Sequence, residues 1–262
     1  MNNHKYLGTA TFYKRALSIA LPIMAQLLIQ NLVSLVDNFM VAGLGDIKMS
    51  GVNIAGQINF VFLVLMNTIC ASGGIFMSQF KGAKDKEGME QTFKFKLIVC
   101  GLIGISYTIL SFIAPRPLFN LMVTTNNDAN IILDYSVIYS KSVALSWLFM
   151  VFSQAIASSL REIEIVKPPL VISIIATLIN TFFNWVFIYG NLGAPRFEVA
   201  GAGYATVIAR FAELAMFIVY AAIKKPEFLF KIKTFLQVKF RLFISIFKKS
   251  AMILYSELTW AL

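Results

Sequence analysis

Six predominantly apolar runs recur along the chain, at about 16–43, 54–78, 93–114, 132–158, 169–189 and 201–223. Each is long enough, as a helix, to cross a hydrocarbon core of ~30 Å. A segment in lipid must satisfy its own backbone polar groups, so it is either a helix or a strand of a closed barrel. These runs are continuous and lack the polar alternation of barrel strands, which leaves helices. Charged residues make up 14% of the chain, against about 25% in soluble domains. The fold class expected is therefore an all-α polytopic membrane protein built on a six-helix transmembrane bundle. A seventh apolar run opens near Ser250 and the sequence stops at Leu262, which reads as a helix cut short.

The net charge of +10 suggests nucleic acid until its distribution is traced. Lys and Arg number three before the first run, then one (Lys48), five (Lys81 to Lys96), one (Arg116), two (Arg161, Lys167), one (Arg196) and eight (Lys224 to Lys249). The alternation totals 18 on one side against three on the other, with Lys141 and Arg210 inside runs. By the positive-inside rule the N-terminus is cytoplasmic in a multi-pass plasma-membrane protein. The basic excess is a topology signal, and 224–249 is placed to meet anionic headgroups. No nucleic-acid partner is expected.

The first run is too long for a signal-peptide core and lacks a small-x-small cleavage site. Cys70 and Cys100 fall in the second and third runs and read as small core residues without a disulfide. The only histidine, His4, lies in the polar N-terminal tail. A His/Cys zinc site or a histidine-based triad has no materials here. An intramembrane protease would need a second buried acid or a Ser/His pair. Asp37 has no second buried Asp in the six runs, so an enzyme is not expected.

Asp37 is the single charge between Ala16 and Leu44. A mid-helix Asp costs roughly 2.5–3.5 kcal/mol on insertion scales, and such residues usually mark ion or proton paths. It lies about 10 Å from the outer end of its run, so reaching headgroup water is the competing account. Asn180 and Asn184, at i,i+4, share a face. Their amide oxygens suit a hard cation or a hydrogen bond to a carboxylate, and equally suit interhelical hydrogen bonding. Gln26, Gln30, Asn31, Gln57 and Asn59 give the first two runs a polar edge, lining a cavity or simply bonding between helices. Pro22 removes a backbone bond in mid-run and should bend the first helix.

Four stretches coincide in order and spacing: PIMAQLLIQNLVSLVDNFMVAGLG with Pro22 and Asp37, SQFKGAKDKEG (78–88), SSLREIEIVKPPLVIS (158–173), and NTFFNWVFIYGNLG (180–193) continuing into VAGAGYATVIAR (199–210). Together they resemble the multidrug and toxic compound extrusion (MATE) transporters over nearly the whole chain. The resemblance implies one lobe of a two-lobe transporter, each lobe a six-helix bundle, with a substrate cavity between. The restart IFKKSAMILYSEL (246–258) loosely echoes FYKRALSIALPIM (12–24), as a parallel repeat would. The organisation expected is a cytoplasmic segment 1–15, the bundle 16–223, a basic cytoplasmic connector 224–249 and the start of helix seven, 250–262.

The resemblance also assigns roles. Asp37 would be the cation-coupling acid, with Asn180, Asn184 and Thr206 beside it. The alternative for Thr206 is a bond to its own backbone alone, with Gly201 and Gly203 serving close packing. If the coupling ion is Na+, Asp37, Asn180 and Asn184 would hold it; if H+, Asp37 alone carries it. Glu257 matches a glutamate that some members use for a second cation site in the other lobe. The family shows Asn-x-x-x-Asp or Asn-x-x-x-Asn on the fifth helix. This chain has the uncharged version, which counts against a two-carboxylate proton relay. No organic cofactor is expected.

The function implied is Na+- or H+-coupled antiport of small amphipathic cationic drugs, in a protein embedded among membrane lipids and completed by a missing C-lobe. Two alternatives stand: a lipid-linked saccharide flippase, which would need basic residues for pyrophosphate where this half offers Arg210 near Glu213, and a non-functional truncated half. The 262-residue product alone is expected to insert without transporting. Residues 224–262 are expected to have few buried contacts.

Overall fold

The computed structural model describes residues 9–120, 128–230, 234–235 and 237–261, with Gln30, Val33, Ser34 and 257–261 as backbone only. Long helices dominate it: α1 (Ala10–Ala42), α2 (Asp46–Gly82), α3 (Lys86–Ile113), α5 (Ala129–Glu162), α6 (Lys167–Tyr189) and α7 (Val199–Lys224). A short α4 (Pro115–Asn120) follows α3, and α8 (Phe240–Ala261) closes the described chain. Six of these helices are long and apolar enough to cross a membrane. They coincide with the six apolar runs, so the all-α bundle read from hydropathy is the fold.

The helices outrun the hydropathy limits because capping and turn chemistry, rather than lipid thickness, end them. Asp85 caps α3 by accepting from the Gly88 N–H at 3.0 Å. Gly45, at φ +105°, makes the tight turn between α1 and α2 that a side chain would strain. Gly190, at φ +77°, closes α6 in the left-handed conformation. Helix α1 continues through Pro22, where the missing N–H removes one backbone bond.

Outward-facing apolar side chains are exposed on every side, among them Phe39, Ile113, Leu178 and Ile223. In water that surface would drive aggregation; in lipid it is the ordinary exterior of a bundle. Helix α5 is the hub, packing against α7, α2 and α3, while α1 leans mainly on α6. Small residues let backbones approach where helices cross. A Cβ at Gly201 would stand 2.6 Å from the Phe187 carbonyl oxygen on α6, and one at Gly203 would collide with Ser142 on α5. These two glycines therefore serve packing.

The connections separate by end. At one end Lys48 pairs with Glu198 at 2.6 Å, and the Tyr189 hydroxyl donates to the Met40 carbonyl at 2.9 Å. At the other end Arg15 pairs with Glu164 at 2.7 Å, Lys81 with Glu227 at 2.8 Å and Lys239 with Glu87 at 2.8 Å. The second group gathers the basic connections at one face.

The segment after α7 is held more firmly than its composition suggests. Phe228 and Ile246 are fully buried. Lys94 donates to the carbonyls of Thr234 (2.6 Å) and Gln237 (3.1 Å), and Gln91 donates to Gln237 and accepts from the Lys239 N–H. For the described residues of 224–256, these anchors correct the expectation of few buried contacts. Helical winding begins at Phe240, inside the stretch read as connector, because its apolar residues find a groove against α2 and α3: Phe243 packs edge-on to Phe95, and the Ser250 and Ser72 hydroxyls meet at 2.6 Å.

Candidate functional site: a single carboxylate in a polar cavity

A cavity of about 650 Å³ opens on the inner face of the bundle, walled by α1, α2, α5, α6 and α7. Its polar lining comprises Asn31, Asp37, Asn67, Gln154, Ser173, Thr177, Asn180, Thr206 and Arg210. Asp37 is the only acid among the lining residues.

Four of the residues singled out in the sequence meet here. The Asn184 amide donates to Asp37 Oδ1 at 2.8 Å, joining α6 to α1, and to Asn180 Oδ1 at 3.4 Å. Asn180 donates in turn to Thr206 Oγ1 at 3.4 Å, and Thr206 donates to the Ala202 carbonyl at 2.9 Å. Thr206 thus bonds its own backbone and also accepts from Asn180. The i,i+4 spacing of the two asparagines turns both amides toward α1 and α7, as helix geometry requires. Asn184 is buried, and its Oδ1 has no hydrogen-bond partner among the described residues. Leaving a buried carbonyl unmatched costs about 1–3 kcal/mol, so such an atom calls for a partner beyond those the described residues supply.

Among the described residues no three His, Cys, Asp or Glu side chains converge as a metal site. One carboxylate with amide and hydroxyl oxygens is instead chemically suited to a hard monovalent ion or a proton, and Asp37, Asn180 and Asn184 are the residues that could hold one.

The other polar candidates scatter. Asn31 borders the cavity, whereas Gln26 is buried and Gln57 exposed, neither on its wall. Asn59 accepts from the Tyr107 hydroxyl, an interhelical bond between α2 and α3. The side chains of Gln30 and Glu257 lie outside the described residues. Arg210 is on the cavity wall and pairs with Glu213 at 2.7 Å, the self-neutralisation its i,i+3 spacing suggests.

Sequence reasoning missed a second buried constellation. Lys96 falls among the connector lysines in the charge count, yet it is wholly buried and paired with Glu162, with Ser158 (3.2 Å) and Ser159 (3.5 Å) as further acceptors. The room comes from two consecutive glycines. A Cβ at Gly73 would stand 2.6 Å from Lys96 Cε, and one at Gly74 would collide with the Glu162 carboxylate. The Ser72-Gly73-Gly74 sequence was the available signal.

Comparison with known proteins gives this architecture its family. The MatE family model matches residues 22–186. Over 222 residues the chain is 25% identical to the multidrug resistance protein NorM of Vibrio cholerae, covering 85% of this chain and 47% of that protein. Over 166 residues it is 29% identical to the probable multidrug resistance protein YoeA of Bacillus subtilis, covering 63% and 35% respectively. Among solved structures, the outward-facing conformation of a multidrug resistance MATE family transporter of the MOP superfamily superposes with a TM-score of 0.82 at 20% identity. It covers 95% of this chain and 53% of that one. The chain thus spans about half the length of the relatives it matches. The fold is one lobe's worth of transporter helices, not that of an enzyme, and the chain belongs to the MatE family.

Proposed function

We propose that this chain is the ion-coupling lobe of an exporter of small amphipathic organic cations, driven by an inward Na+ or H+ gradient. The observation that carries the proposal is the pairing of Asp37 with Asn184, whose buried Oδ1 has no partner among the described residues. A cation entering between them would bring its charge to the carboxylate and a ligand to that oxygen; a proton would neutralise Asp37 instead. Asn180 and Thr206 extend the same bonded chain. Either ion changes the electrostatics of the α1–α6 contact, which supports ion loading as the event that biases alternating access.

A second lobe completes the cavity in this reading. Cells lacking their own drug exporters, expressing the chain from its natural gene with the flanking sequence retained, are expected to extrude ethidium when an inward Na+ or proton gradient is imposed. The chain expressed alone is expected to insert without efflux. Absence of efflux from both, with normal membrane insertion, overturns the exporter reading and favours an inert half. The flippase alternative needs a basic residue free for pyrophosphate, and Arg210 is already committed to Glu213 at 2.7 Å.

The orientation proposed places the N-terminus in the cytoplasm of a plasma-membrane protein. Single cysteines introduced at Lys48 and Gly193 in a cysteine-free background should react with an impermeant maleimide added outside sealed cells, and one at Ala83 should not. Outside labelling of Ala83→Cys reverses the topology.

A further inference from the structure

Cys70 on α2 and Cys100 on α3 bring their Sγ atoms to 3.8 Å, although both are free thiols. The approach follows from the same interface that houses the buried lysine. On α2, Cys70 and Gly73 are spaced i,i+3; on α3, Lys96 and Cys100 are spaced i,i+4; each pair therefore shares a face. Because Gly73 has no Cβ to keep Lys96 away, the two helices close, and one turn further along the sulfurs meet. Disulfide bonding requires about 2 Å between sulfurs, so the two sulfurs have less than about 2 Å left to close.

The pair is also reachable. Cys70 borders a second cavity, of about 400 Å³, together with Asn67, Gln154, Ser158, Arg161 and Glu162. Ile23 and Ala71 complete its wall, and the space is ample for a small neutral solute. Cys100 is completely buried behind Cys70 and off that cavity wall.

We propose that Cys70 and Cys100 form an oxidisable dithiol, closed to an α2–α3 disulfide by hydrogen peroxide or another small peroxide entering through this second cavity. Cys70, as thiolate, attacks one peroxide oxygen. The O–O bond breaks, and hydroxide leaves beside the Arg161 guanidinium and is protonated to water. The resulting Cys70 sulfenic acid is then attacked by the Cys100 sulfur; the S–O bond breaks and a second hydroxide leaves as water. Two thiols lose their two protons and two electrons in total, and one peroxide is reduced to two waters. The chemistry is independent of transport.

The test treats membranes containing the full chain with hydrogen peroxide, blocks remaining thiols with N-ethylmaleimide, and maps peptides by mass spectrometry without reduction. Wild type should yield the Cys70 and Cys100 peptides joined and two hydrogens lighter than their sum. Cys100→Ser should stop at the sulfenic acid, trapped on Cys70 by dimedone, and Cys70→Ser should leave Cys100 reduced. Advance of wild-type Cys70 to sulfinic or sulfonic acid without the link overturns the proposal. So does full alkylation of both thiols after peroxide, when the denatured chain oxidises under the same treatment.

Discussion

In the product of the natural gene with its flanking sequence retained, Asp37→Asn is expected to reduce gradient-driven ethidium efflux to background while leaving the amount of protein in the membrane unchanged. Asparagine keeps the shape of the side chain, and its carbonyl oxygen can still accept from the Asn184 amide, so the α1–α6 hydrogen bond at 2.8 Å has a replacement. The charge does not. A neutral amide neither binds a proton at physiological pH nor supplies the negative charge that holds Na+. As Asp37 is the only acid on the cavity wall, no neighbour takes over. Relieving the cost of a carboxylate in the membrane makes the folded lobe no less stable, which separates loss of coupling from loss of folding. Asn184→Ala and Asn180→Ala remove a partner of the acid rather than the acid, and should raise the cation concentration needed for half-maximal efflux about 10–100-fold, the usual scale for such supporting contacts. Efflux by Asp37→Asn at the wild-type rate, under either gradient, leaves the coupling proposal without its central residue.

What the sequence discloses depends on how strongly one residue's physics stands out from its surroundings. The spans were legible because lipid as solvent demands long apolar helices, and nothing else in a chain this poor in charge explains them. Asp37 was legible for the opposite reason, as a lone carboxylate in an apolar run. Asn180 and Asn184 were legible as a pair, since i,i+4 spacing fixes a common face whatever the rest of the fold. Gln26, Asn31 and Gln57 were not separable in advance. On a helix contacted from several sides, periodicity does not say whether a polar residue meets a cavity, a neighbour or the exterior, and the structure gives these three different surroundings. The start of α8 at Phe240 was hidden by its basic residues, which read as connector until the groove beside Phe95 and Ser72 is seen. Lys96 and Glu162 are 66 positions apart, each close to a polar helix end, and their union depends on two glycines of a third helix.

That union makes the second large prediction one of stability. Lys96 is wholly buried, whereas Glu162 keeps 17% of its side-chain exposure, borders the second cavity and has Arg161 beside it on the same wall. Breaking a buried pair strands a charge and costs about 3–5 kcal/mol, while replacing both partners with apolar groups of similar volume is often neutral or stabilising. Glu162→Leu should therefore fall at the upper end of that range, since the stranded ammonium keeps only the Ser158 and Ser159 hydroxyls at 3.2 and 3.5 Å. Lys96→Met should cost less, because the stranded carboxylate reaches cavity water and Arg161. The double variant Lys96→Met with Glu162→Leu should recover to within about 1 kcal/mol of wild type, with the glycine-lined space filled by similar volume. Reversible unfolding of the full chain in detergent micelles, run as a double-mutant cycle, measures the coupling directly. Additive single and double losses would mean that the two side chains act independently, and that Gly73 and Gly74 serve helix packing alone.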